Sequence, residues 1–240
     1  MPQRASLKYN AYVQEETMKS KTIQLIYQTC YLTLSIIAII GSIGFYDYTF
    51  NTDFYIFFTN LCNYICAGIM FVELIQTARK KEDGYVKTFP ILHFIGMLGL
   101  ILTFLVFNLL LANDPARDPA LNYKVECLLC HIVLPIMFVI DWLLFYEHGK
   151  VKWTYPLLSA LFPIGYLMFV FIHAAMFHFD SSIMNYAGTD PLIYPYFFLN
   201  PERVGIGGMA IWIIALVAAF VLGGYVFMVI DMGLGKRKQS

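Results

Sequence analysis

Charge is what this sequence has least of. Only 13% of its 240 residues are Asp, Glu, Lys or Arg, against about a quarter in soluble chains. Another 59% are hydrophobic and 17% aromatic, a balance that excludes an ordinary water-soluble fold. The sixteen basic and sixteen acidic residues cancel, so there is no basic surface of the kind that holds nucleic acid. Internal repeats and low-complexity tracts are missing, as is the ten-residue alternation of a membrane β-barrel strand. Also missing are a phosphate-binding loop, a glycine-rich dinucleotide turn, a G-x-S-x-G elbow and an H-E-x-x-H pair. Nucleotide-dependent enzymes, α/β-hydrolases and zinc peptidases therefore fall away. Cysteine is sparse too. Cys30, Cys62, Cys66, Cys127 and Cys130 all lie in apolar segments and describe no disulfide framework.

What is present is six apolar runs of spanning length: Thr22 to Tyr46, Phe54 to Thr77, Phe89 to Ala112, Glu126 to Tyr146, Thr154 to Met176 and Ile206 to Ile230. The fold expected is an all-α integral membrane protein, a bundle of six transmembrane helices over residues 22–230. A polar N-terminal tail or short surface helix (1–21) and a basic C-terminal tail (231–240) flank it. The first run is too long for a signal peptide and lacks a small-residue cleavage site, so it is expected to be retained. Lys and Arg sort by connection. The two tails and the second and fourth connections carry thirteen, and the other connections carry Arg117, Lys124 and Arg203. That asymmetry predicts cytoplasmic termini. The long connection from Phe177 to Gly205 then lies outside, and its cluster Tyr194, Tyr196, Phe197 and Phe198 suits the interface or a lid. In the sixth run, Ala215, Ala219 and Gly223 recur every four residues, which predicts a groove for close helix packing.

The fourth run, CLLCHIVLPIMFVIDWLLF, carries an imidazole (His131), a proline (Pro135) and a carboxylate (Asp141). Ionisable groups at such depth face a bundle interior and mark function. Pro135 has no N–H, and four residues back the carbonyl it leaves unbonded is that of His131. A proline kink healed by a neighbouring helix is the bland explanation. With the orientation above, Thr59 on the second helix and His131 on the fourth share a depth, roughly 8 Å below the outer boundary at 1.5 Å per residue. Asn60, Asn63, Asn108 and His173 can join that layer. Glu73, His93 and Asp141 form a second layer towards the inner side, with no Lys or Arg in any run to balance them. On the second helix Thr59, Asn63, Cys66, Met70 and Glu73 fall on one face. The alternative is that its Thr and Asn are simple interhelical glue.

Cys127, Cys130 and His131 spell C-x-x-C-H, a haem-attachment pattern. The two leucines between the cysteines, the position inside a spanning helix and the lack of a second copy argue against haem. Metal binding by the trio would need His173 as a fourth ligand and is equally disfavoured. No cofactor and no metal are expected. A nucleophile should be a buried hydroxyl or thiol beside a base, and at the depth of His131 these are Thr59, Cys62 and Cys130.

The runs FFTNLCNY around Thr59, HIVLPIMFVIDWLLF from His131, FPIGYLMFVF in the fifth helix and the later YPYFFL resemble the prokaryotic six-helix members of the androgen-induced membrane hydrolase family. The likeness covers most of the chain from the second helix onward. It implies an intramembrane, threonine-dependent hydrolase of fatty acid esters of hydroxy fatty acids, in the cytoplasmic membrane of a prokaryote, with lipid as substrate and surroundings. Thr59 and His131 match the family's catalytic pair; Asn60 after the threonine departs from it. On this expectation Thr59 is the nucleophile, His131 its base, and Asn60, Asn63 and His173 are candidates for substrate or oxyanion contacts. Two other functions stay open: a proton-linked transporter using Glu73, His93 and Asp141, and a haem-binding redox protein.

Overall fold

The computed structural model describes residues 2–48, 50–51, 53–80, 90–114, 118–179 and 192–237. Lys81, Lys87, Arg117 and Lys238, and residues 180–191 of the long connection, lie outside the described residues. Every extended element among those described is a helix, and six are long and apolar enough to cross a membrane: Lys21–Ser42, Phe58–Arg79, Pro90–Leu111, Val125–Phe145, Tyr155–Met176 and Pro201–Gly235. Five of them have 21 or 22 residues, about 33 Å at the helical rise, which matches the hydrocarbon thickness. Helices satisfy their own backbone, the condition for crossing lipid. The protein is a multi-pass membrane bundle.

Two ends differ from the sequence-based boundaries. The first helix runs unbroken from Pro2 to Ser42, so residues 2–21, expected as a tail or a separate short helix, are helical backbone continuous with the first span. The sixth begins at Pro201, earlier than Ile206, and is broken one turn in at Gly205, whose φ of 71° is one that glycine adopts freely. Where the first span meets the second, the Lys21 ammonium donates to the Ala78 and Lys80 carbonyls and so covers acceptors that end the second helix.

The core is aromatic and aliphatic: Tyr31, Met70, Phe94, Met97, Leu100, Leu134 and Phe138 are buried completely or nearly so. Spans two and three approach closely because Gly96 and Gly99 have no side chain. A Cβ at Gly96 would stand 2.8 Å from the Cys66 sulfur, and one at Gly99 would stand 3.0 Å from that of Cys62. Polar residues of the first span are neutralised locally, with Thr29, Thr33 and Ser35 each donating to the carbonyl four residues back.

The small-residue groove predicted on the sixth span is not a packing seam. Ala215 and Ala219 are exposed and a Cβ at Gly223 would meet nothing within 4 Å. Close approach occurs one residue on, at Gly224, where a Cβ would lie 3.0 Å from that of Pro156. One residue is a 100° turn of the helix, enough to change the neighbour faced.

The second span's predicted polar face holds. Thr59, Asn63, Cys66, Met70 and Glu73 are all buried. Thr59 lies at one end of that buried stripe and Glu73 fourteen residues along, so the bundle carries two separate polar centres.

Candidate functional site

The second helix starts at Phe58, after an extended Phe57. Thr59 therefore sits in the first turn, where backbone N–H groups have no intrahelical acceptor. The fourth span starts as an α-helix at Val125, widens to a π turn over Leu129–Val133 and resumes as α-helix from Leu134. The third span ends in a second π turn, Phe107–Leu111. The two irregular turns meet, for the Phe107 ring stacks on that of His131 with centroids 3.8 Å apart. π turns recur at functional sites because they re-aim side chains.

The π turn changes which carbonyl Pro135 strands. Leu134 N–H bonds the carbonyl of Leu129, five residues back. In that register the acceptor opposite Pro135 belongs to Cys130, not to His131 as a four-residue count predicts. Asn63 supplies the missing donor: its amide nitrogen lies 3.2 Å from the Cys130 oxygen and 2.8 Å from that of Thr59. With both amide hydrogens on backbone acceptors, Asn63 is a clamp between spans two and four. It is not an oxyanion donor, and that expectation is corrected.

Thr59 and His131 meet. The Thr59 hydroxyl oxygen is 3.3 Å from His131 Nε2, and His131 Nδ1 is 2.9 Å from the Cys127 carbonyl. A carbonyl only accepts, so Nδ1 carries the proton of the neutral ring and Nε2 turns its lone pair to the hydroxyl. The Cys127 sulfur lies 3.5 Å from the same Nδ1. Haem ligation through His131 would have to break the Thr59 contact.

Tyr196 is the residue the sequence pointed to only as part of an aromatic cluster. Its side chain lines both cavities together with Thr59, and the Thr59 side chain and the Phe58 and Thr59 backbone are near enough for hydrogen bonding to act on its hydroxyl. Loss of water around the ring pushes its pKa up to about 12, although those hydrogen bonds pull the other way. It is thus a neutral phenol set against the open first turn of the second helix, able to donate its own proton.

Two cavities share this spot. A wide one of about 930 Å³ is lined by Thr59, Asn60, His131 and Tyr196 and rimmed by Asp47, Asp114, Asp118, Lys124, Glu126 and Arg203. A narrow one of about 60 Å³ runs among apolar side chains such as Leu102, Val106, Leu167 and Phe198. Thr59, Leu111 and Tyr196 line both. At the rim the Lys124 ammonium pairs with the Asp47 carboxylate, which raises the pKa of the lysine.

The other expected residues divide. Asn60 lines the wide cavity and donates once, at 2.8 Å, to the Phe54 carbonyl, so it stays beside the site. His173 does not join it. Its Nε2 faces the Tyr55 hydroxyl at 3.1 Å and it lines neither cavity, because the fifth span turns it to the Tyr55 and Phe169 rings. Asn108 bonds its own helix at the Phe104 carbonyl. Glu73, His93 and Asp141 do converge with one another. No family model matches the sequence, and neither a curated protein nor a solved structure matches it.

Proposed function

We propose that the protein is an intramembrane lipid ester hydrolase in which Thr59 is the nucleophile and His131 the base. The observation that carries this is the 3.3 Å approach of the Thr59 hydroxyl to an Nε2 whose tautomer is set by the Cys127 carbonyl, at the junction of a wide and a narrow cavity. A threonine hydroxyl is a weak nucleophile and needs such a base within hydrogen-bond reach. The resemblance of the FFTNLCNY and HIVLPIMFVIDWLLF runs to the androgen-induced membrane hydrolases supports the same pair.

In this mechanism Nε2 takes the Thr59 proton as the hydroxyl oxygen attacks the ester carbonyl. The negative oxygen that forms is held by Tyr196 and by donors of the first turn, with Asn60 beside them. Collapse breaks the bond to the alcohol oxygen, which receives the proton from His131. Water then attacks the acyl-threonine, gives its proton to Nε2, and releases the fatty acid while Thr59 recovers its own. The narrow cavity is apolar and suits the methylenes of an acyl chain next to the ester, and the wide one suits the polar remainder of a lipid. The excess of Lys and Arg on the opposite connections supports a site opening to the extracytoplasmic side, with both termini in the cytoplasm.

The test combines kinetics with a covalent probe. Thr59→Ala and His131→Ala should each nearly abolish hydrolysis of a long-chain ester, and the double variant should lose little more, because the pair acts as one unit. An activated lipid ester should leave an adduct on Thr59 that His131→Ala abolishes. Hydrolysis surviving in Thr59→Ala at the wild-type rate overturns the proposal.

A further inference from the structure

The second polar centre has no part in acyl transfer. Glu73 from the second span, His93 from the third and Asp141 from the fourth are completely buried. One donor atom of each lies within 4.8 Å of those of the other two. Glu73 Oε1 accepts from the Tyr146 hydroxyl and lies 3.0 Å from His93 Nδ1. The His93 ring is also fixed by stacking on Phe138 at 4.1 Å and by Tyr146 at 4.2 Å. Its other nitrogen, Nε2, is thereby directed at Asp141 Oδ2 across 4.0 Å, too far for a hydrogen bond.

Four buried atoms are left over. Glu73 Oε2, His93 Nε2 and both oxygens of Asp141 have no hydrogen-bond partner among the described residues. Such groups are costly to bury unless something pairs with them. The six apolar runs supply no Lys or Arg, so two carboxylates and one imidazole face one another with two negative charges to balance.

We infer that Glu73, His93 and Asp141 form a site for one divalent transition-metal cation, with His93 Nε2 and the Asp141 oxygens as ligands and the Glu73 carboxylate beside them, orienting the imidazole. A dication neutralises both carboxylates in one step. One imidazole with carboxylate oxygens suits Zn²⁺, Fe²⁺ or Mn²⁺; Ca²⁺ and Mg²⁺ prefer oxygen alone and Cu⁺ prefers sulfur. Two ligands about 2.1 Å from a tetrahedral ion stand roughly 3.3 Å apart. A small rotation of Asp141 therefore closes the 4.0 Å gap. Glu73 Oε1 plays the outer part, holding the proton on Nδ1 so that Nε2 is a ligand.

The test uses full-length protein in detergent, stripped with a chelator and dialysed against Zn²⁺ or Mn²⁺. The wild type should retain about one equivalent of at least one of the two ions. His93→Gln and Asp141→Asn should bind at least ~10-fold more weakly. Thr59→Ala, which leaves this centre intact, should bind like the wild type whether or not the hydrolase proposal holds. Should the two ligand variants fail to fold, Mn²⁺ bound to the wild type decides by electron spin echo spectroscopy. Coupling to one imidazole nitrogen is expected. No retained ion, no nitrogen coupling, or unchanged binding in folded His93→Gln and Asp141→Asn overturns the site, and protons alone then balance the carboxylates.

Discussion

Asn63 ties the two halves of the candidate site together: one amide group bonds the Thr59 carbonyl at 2.8 Å on its own helix and the Cys130 carbonyl at 3.2 Å on the fourth span. The carbonyl that Pro135 strands in the fourth span is thus satisfied from the helix that carries Thr59. A helix defect and the Thr59–His131 distance are controlled by the same side chain.

Asn63→Leu keeps most of the volume and removes both bonds, leaving the Cys130 oxygen buried without a donor. We expect a stability loss of about 1–3 kcal/mol, read as a lower midpoint of thermal unfolding in detergent. Hydrolysis should fall by more than the folded fraction does, because the separation of Thr59 and His131 is no longer fixed. Asn63→Asp should fail likewise, since a carboxylate cannot donate to two carbonyls. Normal stability and rate in both variants would contradict the clamp.

Tyr196→Phe removes one hydroxyl and keeps the ring. If that hydroxyl stabilises the oxyanion, kcat should fall about 100-fold with KM little changed. The pH profile gives the sign. With a pKa pushed up to about 12, the phenol keeps its proton below that value. Between roughly pH 7 and 10 the wild type should therefore show no loss of rate from this group. An alkaline limb in that window that disappears in Tyr196→Phe would refute the assignment.

Gly224 and Gly223 make a paired test of the sixth span. A side chain at Gly224 meets Pro156 at once, while Gly223 faces open surroundings. Gly224→Val should cost about 1–3 kcal/mol by overpacking, and Gly223→Val should change stability by less than roughly 0.5 kcal/mol. Equal effects in the unfolding assay would mean that the span is rotated from the position described.

Asp231 fastens the sixth span to the loop after the fourth, accepting from the Val151 N–H at 2.8 Å and lying 3.2 Å from His148 Nδ1. Asp231→Ala leaves both groups without that acceptor, and a loss of about 1–3 kcal/mol is expected. The clasp lies apart from Thr59, so the rate per folded molecule should be unchanged; a large kcat effect would show coupling between the clasp and the site.

Topology is checked by reporter fusions after Lys81 and after Lys238. Both should report cytoplasm, as the basic residues predict. An extracytoplasmic signal from either would place the wide cavity on the other side of the membrane.

Much was legible in the sequence alone. Six helices follow from apolar runs that only a helix can carry across lipid, and the polar stripe of the second span follows from angular spacing that no neighbour alters. The shared depth of Thr59 and His131 came from counting residues along two helices running the same way, which is sound while the rise per residue is constant. Counting failed where the helix was irregular. The π turn at Leu129–Val133 moved the stranded carbonyl from His131 to Cys130, because across a wider turn an N–H reaches five residues back instead of four. Angular and tertiary neighbours were invisible in the same way. That His173 belongs to Tyr55, that Tyr196 reaches Thr59 from a distant connection, and that Gly224 replaces Gly223 at the contact depend on how each helix is rotated about its axis. Rotation is decided by packing against neighbours on other spans, so only the tertiary structure contains it.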